Sequence, residues 1–149
     1  MKKLLVLGAG LALLLGPQQV QAQEPAPEEA IISISKFHVP MGEDRAKVMR
    51  FIEEVMMPQE VANPHVQSFY VLNHLYGASA EEVLLVRVYN SWADVEAPCG
   101  EPCDAWAESM PQPGTPEREE LMELGQLFNK YYSAHSDEIY SSTMGHDKG

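Results

Sequence analysis

The chain has 149 residues, with 22 acidic against 10 basic residues and a formal net charge of −12. This length suffices for one domain with a single hydrophobic core. Because so acidic a surface repels phosphate backbones and anionic lipid, the composition disfavours nucleic-acid binding and membrane-surface roles. Acidity also suits solubility outside the cell, so it identifies no substrate.

Residues 1–22 have the pattern of an export signal. Two lysines follow Met1, an apolar run extends from Leu4 to Leu15, and residues 20–22 suit a cleavage site. The run is shorter than the about 20 apolar residues that a membrane-spanning helix needs. We therefore expect cleavage and export to the periplasm or the medium, with no membrane association afterwards. The remaining 8 basic and 22 acidic residues would give a formal charge of −14.

The next part of the chain predicts a leader, a strand and a helix. Residues 23–29 are rich in Pro and Glu, which is typical of a flexible leader. Residues 30–39 alternate and are rich in β-branched side chains, so they predict the first strand. Residues 43–61 carry apolar side chains at helical spacing, and Pro58 should kink or end the helix that they predict.

A central hairpin follows. Residues 66–76 and 83–89 predict two strands, joined by a polar turn at residues 77–80. The second strand is almost continuously apolar and is interrupted only by Arg87, as expected of a central strand covered on both faces. If helices cover one face, the simplest cover for the other is a second copy of the same sheet. The sequence therefore predicts a homodimer.

The last third of the chain predicts two helices and a final strand. Ser91 is a plausible cap for a short helix. Residues 98–114 hold four prolines, two glycines and both cysteines, which indicates an excursion from the basic fold. Thr115 followed by proline and an acid marks the start of a longer helix, in which Gly125 should allow close approach of a neighbour. Residues 136–144 predict a short strand, and residues 145–149 a tail.

The resulting order is β-α-β-β-α-β, the split βαβ pattern of ferredoxin-like α+β domains. The run VRVYNSWADVEA resembles the strand-then-helix segment of dimeric α/β-barrel proteins, the superfamily that contains antibiotic-biosynthesis-type monooxygenases. The run FNKYYSAHSDEIYSS is similar to their helix-to-last-strand passage. The resemblance covers residues 30–144 as a topology, and the cysteine-containing insert has no counterpart in it. It implies a homodimeric α/β barrel with a small, largely apolar pocket in each subunit.

This resemblance implies several possible activities, because such pockets serve cofactor-free oxygenation, haem degradation, isomerisation or binding alone. We expect an exported small-molecule-binding protein, with cofactor-independent monooxygenase-like activity as the enzymatic possibility and no cofactor required. A non-catalytic binding or stress-related module is one alternative. A periplasmic copper carrier is another.

Three residues are candidates for catalysis. Arg87 would orient an anionic or carbonyl group, while Tyr70 and His74, which share a strand face, would supply hydrogen bonds or proton transfer. The alternative role for Arg87 is an ion pair at the dimer interface or the sheet edge. A lone His is more commonly structural than functional. Further ligand-binding candidates are His38, Tyr89, Asn90, Trp92 and His135.

The two cysteines, Cys99 and Cys103, lie in a loop rich in Pro and Gly. In an exported protein such a pair most simply forms a disulfide, which would pin the insert locally. The alternative is a dithiolate site for copper or zinc, completed by a histidine such as His135 or His146. Both interpretations remain open at the level of sequence.

Overall fold

The structure is a computed structural model, and it describes residues 29–74, 77 and 79–142. The predicted export signal, most of the predicted leader, the predicted tail and His146 lie outside these residues.

Four strands form one antiparallel sheet: β1 (Ile31–His38), β2 (Val66–Asn73), β3 (Glu82–Tyr89) and β4 (Ser136–Ser141). Their order across the sheet is β2-β3-β1-β4. The apolar strand β3 pairs with both β1 and β2, as its composition predicts. β2 ends three residues before the predicted boundary, at Asn73. The observed strands and their order confirm the ferredoxin-like α+β class.

The helical elements are α1 (Glu43–Phe51), a π-helical turn (Ile52–Met56), α2 (Met57–Ala62), α3 (Trp92–Glu96), α4 (Glu101–Ser109) and α5 (Pro116–Tyr132). The first three run on without a break, so of the two expectations for Pro58, a kink or an end of the helix, the end is wrong. The Met57 N–H donates to the carbonyl of Ile52, five residues back. Pro58 then lies in the first turn of α2, where a missing N–H costs little.

Helix α4 lies inside the segment that the sequence indicated only as an excursion. Gly100 precedes it with φ of 66°, a left-handed conformation that glycine adopts without strain. Pro102 and two acids, Glu101 and Asp104, occupy its first turn. These are ordinary helix-start signals, but the surrounding prolines and cysteines concealed them.

The start and the packing of α5 are as predicted. The Arg118 N–H donates to the hydroxyl of Thr115, which caps the helix. A Cβ at Gly125 would lie 3.1 Å from the Phe51 ring, so glycine permits the close approach of α5 to α1. Among the described helices, none is both long enough and apolar enough to cross a bilayer.

The core lies between the helices and one face of the sheet, here called the helix side. Its largest fully buried side chains are Phe37, Ile52, Leu85, Val39, Val48 and Val83. The ring of Phe37 meets that of Phe128 on α5 edge-on, with 5.7 Å between centroids. Residues with odd numbers in β1 and β3 therefore face the helices, because side chains alternate along a strand.

Candidate functional site

The opposite face of the sheet, here called the open face, is turned away from the helical core. Tyr70 is 52 % exposed and Leu72 is 48 % exposed on it. Cross-strand pairing places both beside β3 residues of the same face, Tyr70 next to Val86 and Leu72 next to Leu84. Its apolar and aromatic side chains are Ile32, Ile34, Tyr70, Leu72, Leu84, Val86, Val88 and Tyr140.

Arg87 lies on the helix side and forms an ion pair within the same chain. Its Nη2 and Nε atoms lie 2.7 Å and 2.8 Å from Oε1 of Glu60 on α2. The side chains are only 17 % and 13 % exposed. Burial lowers the pKa of Arg87, but the hydrogen bond and charge of Glu60 outweigh it and raise the pKa above its ordinary value. The guanidinium is therefore a permanent cation, and its centre lies 5.4 Å from the centre of the Phe69 ring.

Tyr89 is two residues further along β3 and faces the same way as Arg87. Burial raises its pKa; the positive charge of Arg87 opposes this shift, and the negative charge of Glu60 adds to it. The phenol consequently keeps its proton at neutral pH. Tyr89 can donate a hydrogen bond beside the guanidinium, but it is a poor base there.

A hydrogen-bonded network, here called the β4 network, lies on the same side of the sheet and joins Ser35, Tyr132, His135 and Asp137. The Ser35 hydroxyl donates to Oδ1 of Asp137 at 2.7 Å and accepts from the Tyr132 hydroxyl at 3.2 Å. The His135 ring lies 2.9 Å from Oδ2 of Asp137 through Nε2, and 2.7 Å from the Tyr132 carbonyl through Nδ1. Because both acceptors are oxygens, the two bonds exist together only when both ring nitrogens carry protons.

A cavity of about 220 Å³ lies between α2 and the edge strand β2. Its lining includes Glu60 and Phe69, the two residues that hold and face the guanidinium of Arg87. A molecule in this cavity would therefore meet Glu60 and Phe69, whereas Arg87, which contacts both, is not itself a lining residue. The remaining lining residues are Met57, Val61, Val66, Gln67 and Ser68.

The structure does not bring the three catalytic candidates together. Tyr70 faces the open side, whereas its neighbour Phe69 pairs with Arg87 on the helix side. His74 follows the end of β2, where its Nδ1 lies 3.8 Å from Oε1 of Glu82. Arg87 thus lies on the face opposite to Tyr70, and a single pocket in one chain cannot contain all three side chains.

The other ligand-binding candidates are also divided. Tyr89 and His135 lie on the helix side, near Arg87 and within the β4 network respectively. His38 is exposed on the open face, at the end of β1. Asn90 and Trp92 are exposed and flank Ser91, whose hydroxyl caps α3 by accepting from the Asp94 N–H at 3.2 Å.

Four residues of the site were not identified from the sequence. Glu60 lies within the predicted first helix, and no local pattern connects it with Arg87. Ser35 lies between Ser33 and Phe37 on its strand face, and a hydroxyl on a core-facing position is a signal that a polar partner lies opposite. The remaining two are Tyr132, the last residue of α5, and Asp137, two residues after His135.

Cys99 and Cys103 form the predicted disulfide, with their Cα atoms 5.7 Å apart. It lies at the start of α4, and the Cys103 sulfur is 4.0 Å from the Gln59 carbonyl of α2. Among residues 29–74, 77 and 79–142, no group of three His, Cys, Asp or Glu side chains lies close enough to hold a metal ion. The dithiolate alternative would require both sulfurs to be reduced.

Comparison with known proteins shows a likeness of fold. No family model and no curated sequence matches the chain. A monooxygenase from the gene ActVA-Orf6 of Streptomyces coelicolor, solved with nanaomycin D, has a TM-score of 0.50 and 13 % identity, covering 83 % of this chain and 96 % of its own. A conserved protein from Methanosarcina mazei Go1 has a TM-score of 0.49 and 13 % identity, covering 78 % and 96 %. The likeness to the Streptomyces coelicolor monooxygenase is one of fold alone, and it agrees with the ferredoxin-like class that the strand order shows.

Proposed function

We propose that the chain is an exported homodimer that binds a small molecule on the helix side of its sheet, beside the Arg87–Glu60 pair. The observation that carries this proposal is a cavity lined by Glu60 and Phe69, the two residues that contact the mostly buried guanidinium of Arg87. A charge in a protein interior usually has a defined partner. Charged and hydroxyl groups fix the orientation of ligands in apolar pockets.

The open face supports the homodimer. Eight apolar or aromatic side chains lie on it; Tyr70, Leu72 and Tyr140 are about half exposed, and the helical core of the described residues lies on the other side of the sheet. Contiguous exposed apolar surface of this kind marks an association site, and a two-fold axis lets the same face cover itself. Burial would contribute roughly 25 cal/mol for each Å² of apolar surface removed from water.

The helix side indicates the chemistry of the ligand. Phe69 presents an aromatic ring to the cavity, and Arg87 and Tyr89, which lie near its lining residues, carry N–H and hydroxyl donors. This combination suits a partly apolar molecule that carries a carbonyl or an anionic oxygen. Nanaomycin D, the ligand of the Streptomyces coelicolor monooxygenase, is a practical first probe.

The binding proposal is tested by titrating nanaomycin D into the wild-type protein and into Arg87→Met. We expect about tenfold weaker binding in the variant, because a charge-assisted hydrogen bond is lost. Lys47→Met removes an exposed cation of α1 and is the control. Because Arg87→Met leaves Glu60 unpaired, Arg87→Met with Glu60→Leu is measured as well. Equal affinity in all four proteins would show that the cation does not bind the ligand.

Native mass spectrometry of protein purified from its own periplasm tests the rest of the proposal in one measurement. We expect a dimer mass, a deficit of two protons per chain from the disulfide, and a retained small molecule. A chain mass that still includes residues 1–22 would contradict export with cleavage. A monomer would contradict the dimer.

Cofactor-independent monooxygenase chemistry is a second candidate, and the β4 network favours it. In such a reaction O₂ supplies one oxygen atom to a CH₂ group that becomes a carbonyl, and the other oxygen leaves as water with the two hydrogens. The first step is removal of a proton from carbon. In this proposal the Asp137 carboxylate, which is half-exposed and held by Ser35 and His135, accepts that proton.

Oxygen uptake with anthrone tests this candidate, because anthrone has an acidic CH₂ group that lies across its central ring from a carbonyl and is conjugated with it through two aryl rings. We expect uptake with the wild type and a loss of at least about a hundredfold with Asp137→Asn. Glu138→Gln, one residue along β4 and on the open face, is the matched control. Uptake by the wild type no faster than in buffer would leave binding as the function of the site.

A further inference from the structure

A second cavity lies within the helical layer and has no strand residue in its lining. Its volume is about 330 Å³, and it lies between α1 with its π-helical turn, α4 and α5. The lining is mostly apolar and includes Phe51, Val55, Trp106, Met110, Leu121 and Met122. None of its lining residues belongs to the Arg87 cavity or to the β4 network, so the two sites are separate.

Arg118 gives this apolar cavity a charged edge. The same residue lines an adjoining groove of about 360 Å³, which also contains Glu108 and Gln112. Within the described part of the chain, its guanidinium has no hydrogen bond or ion pair with another side chain. By contrast Arg50, on the facing helix, holds both Glu54 and Glu120. In so acidic a chain, a half-buried arginine without a carboxylate partner is available to an external anion.

The insert of residues 98–114 builds the outer wall of the cavity. Helix α4 supplies Trp106, and Met110 follows its last residue. The disulfide closes the loop at the start of α4, and Cys103 lies against the Gln59 carbonyl. The excursion from the basic topology therefore has a physical result, which is an apolar space next to Arg118.

We propose that this cavity binds a medium-chain carboxylate. The alkyl chain lies among Phe51, Trp106 and Leu121, and the carboxylate accepts hydrogen bonds from the guanidinium of Arg118. A planar guanidinium matches a carboxylate in two parallel bonds, which gives the head group its specificity. A volume near the lower end of known small-molecule sites favours a chain of medium length. Glu108 opposes a second negative charge in the groove, so a monoanion fits best.

The chain itself provides a reporter for binding. It contains two tryptophans, Trp92 and Trp106, and Trp92→Phe leaves Trp106 in the cavity wall as the sole indole. In this background we titrate decanoate and decanol, which have the same chain length, and follow Trp106 emission and heat. The expected result is saturable binding of both, with decanoate bound at least about tenfold more tightly.

Two variants and one control decide the assignment. Arg118→Gln should weaken decanoate about tenfold and leave decanol unchanged, whereas Lys47→Gln, which removes an exposed cation of α1, should change neither. Ala107→Leu fills the cavity from α4 and should abolish binding of both probes. The proposal is overturned if decanoate does not saturate, if decanol binds as tightly as decanoate, or if Arg118→Gln and Lys47→Gln bind decanoate alike.

Discussion

The two faces of the sheet both depart from the usual pattern of an antiparallel sheet. A one-sided sheet normally presents apolar residues to its helices and polar residues to water. Here the helix side carries buried Ser35 and half-buried Arg87 and Tyr89 among its apolar residues, while the open face carries eight apolar or aromatic side chains as well as polar ones. Ser35 and Arg87 have hydrogen-bond partners within the chain, whereas the helical core of the described residues lies on the other side of the sheet from the open face. This contrast is the basis of both proposals, the homodimer through the open face and the ligand site on the helix side.

The largest expected effect comes from placing a charge on the open face. Leu84→Glu puts a carboxylate near the centre of that face, where Lys36 lies directly across on β1 and can pair with it in a single chain. The fold should therefore survive, whereas the dimer would have to bury the charge. We expect the dimer dissociation constant to rise by about a thousandfold or more, which sedimentation equilibrium would measure.

Val61→Glu is the control for Leu84→Glu. Val61 is 83 % exposed on α2, so its replacement also exchanges an exposed apolar side chain for a charge, but outside the open face. This variant should remain a dimer. If Leu84→Glu stays dimeric at concentrations where Val61→Glu does, the open face is not the interface.

The fold could be predicted largely from local signals. The alternation of β1, the apolar run of β3 and the Thr115 cap each depend on residues next to one another in sequence. Two features depended on context instead. A proline is tolerated in the first turn of a helix. The π-helical turn before Pro58 places that residue in the first turn of α2, and local sequence does not specify this turn. Helix α4 is short, and the cysteines and prolines around it also fit a loop.

The site could be predicted only in part. A single charge in an apolar strand identified Arg87, but its partner Glu60 is 27 residues away on a helix. Helix-to-strand packing sets that contact, and a periodic pattern does not specify it. Alternation likewise predicts which residues of β2 share a face without showing which face meets the helices. Tyr70 and Arg87 were therefore assigned to one pocket although they lie on opposite faces.

The next contrast concerns the charge on the helix side. Glu60→Gln removes the carboxylate and leaves Arg87 mostly buried without a counter-charge. We expect the free energy of unfolding to fall by about 2–3 kcal/mol, measured by denaturant unfolding. Glu54→Gln breaks an exposed pair with Arg50 and should have little effect. Equal losses in the two variants would mean that Arg87 is well solvated after all.

The double variant Glu60→Leu with Arg87→Met sharpens this test. Removing both members of a buried ion pair can be nearly neutral, because no unpaired charge remains. We expect it to regain most of the stability lost in Glu60→Gln. The losses of Glu60→Gln and Arg87→Met are measured separately. If the double variant loses as much stability as these two variants together, the two residues act independently.

A smaller effect is expected within the β4 network. Ser35 is 3 % exposed, and Ser35→Ala deprives both Asp137 and the Tyr132 hydroxyl of a partner. We expect a loss of about 1 kcal/mol in the free energy of unfolding. Ser33→Ala is the matched control, since Ser33 is on the same strand and face but makes no side-chain hydrogen bond to a described residue. Similar losses for both serines would show that the network adds nothing to stability.

The smallest expected effect concerns the pKa of Asp94, in the first turn of α3 just after β3. Hydrogen bonds from His65 and Ser91 hold the pKa of Asp94 below its ordinary value of 3.8. Because the pKa is lower in the folded state, this contribution to stability is complete above that value and is lost as the pH falls through the folded pKa. His65→Leu removes the largest cause, so the pKa of Asp94 should rise toward 3.8, measured by carboxyl NMR. An unchanged pKa in that variant would assign the shift to the α3 cap alone, which Ser91→Ala would then abolish.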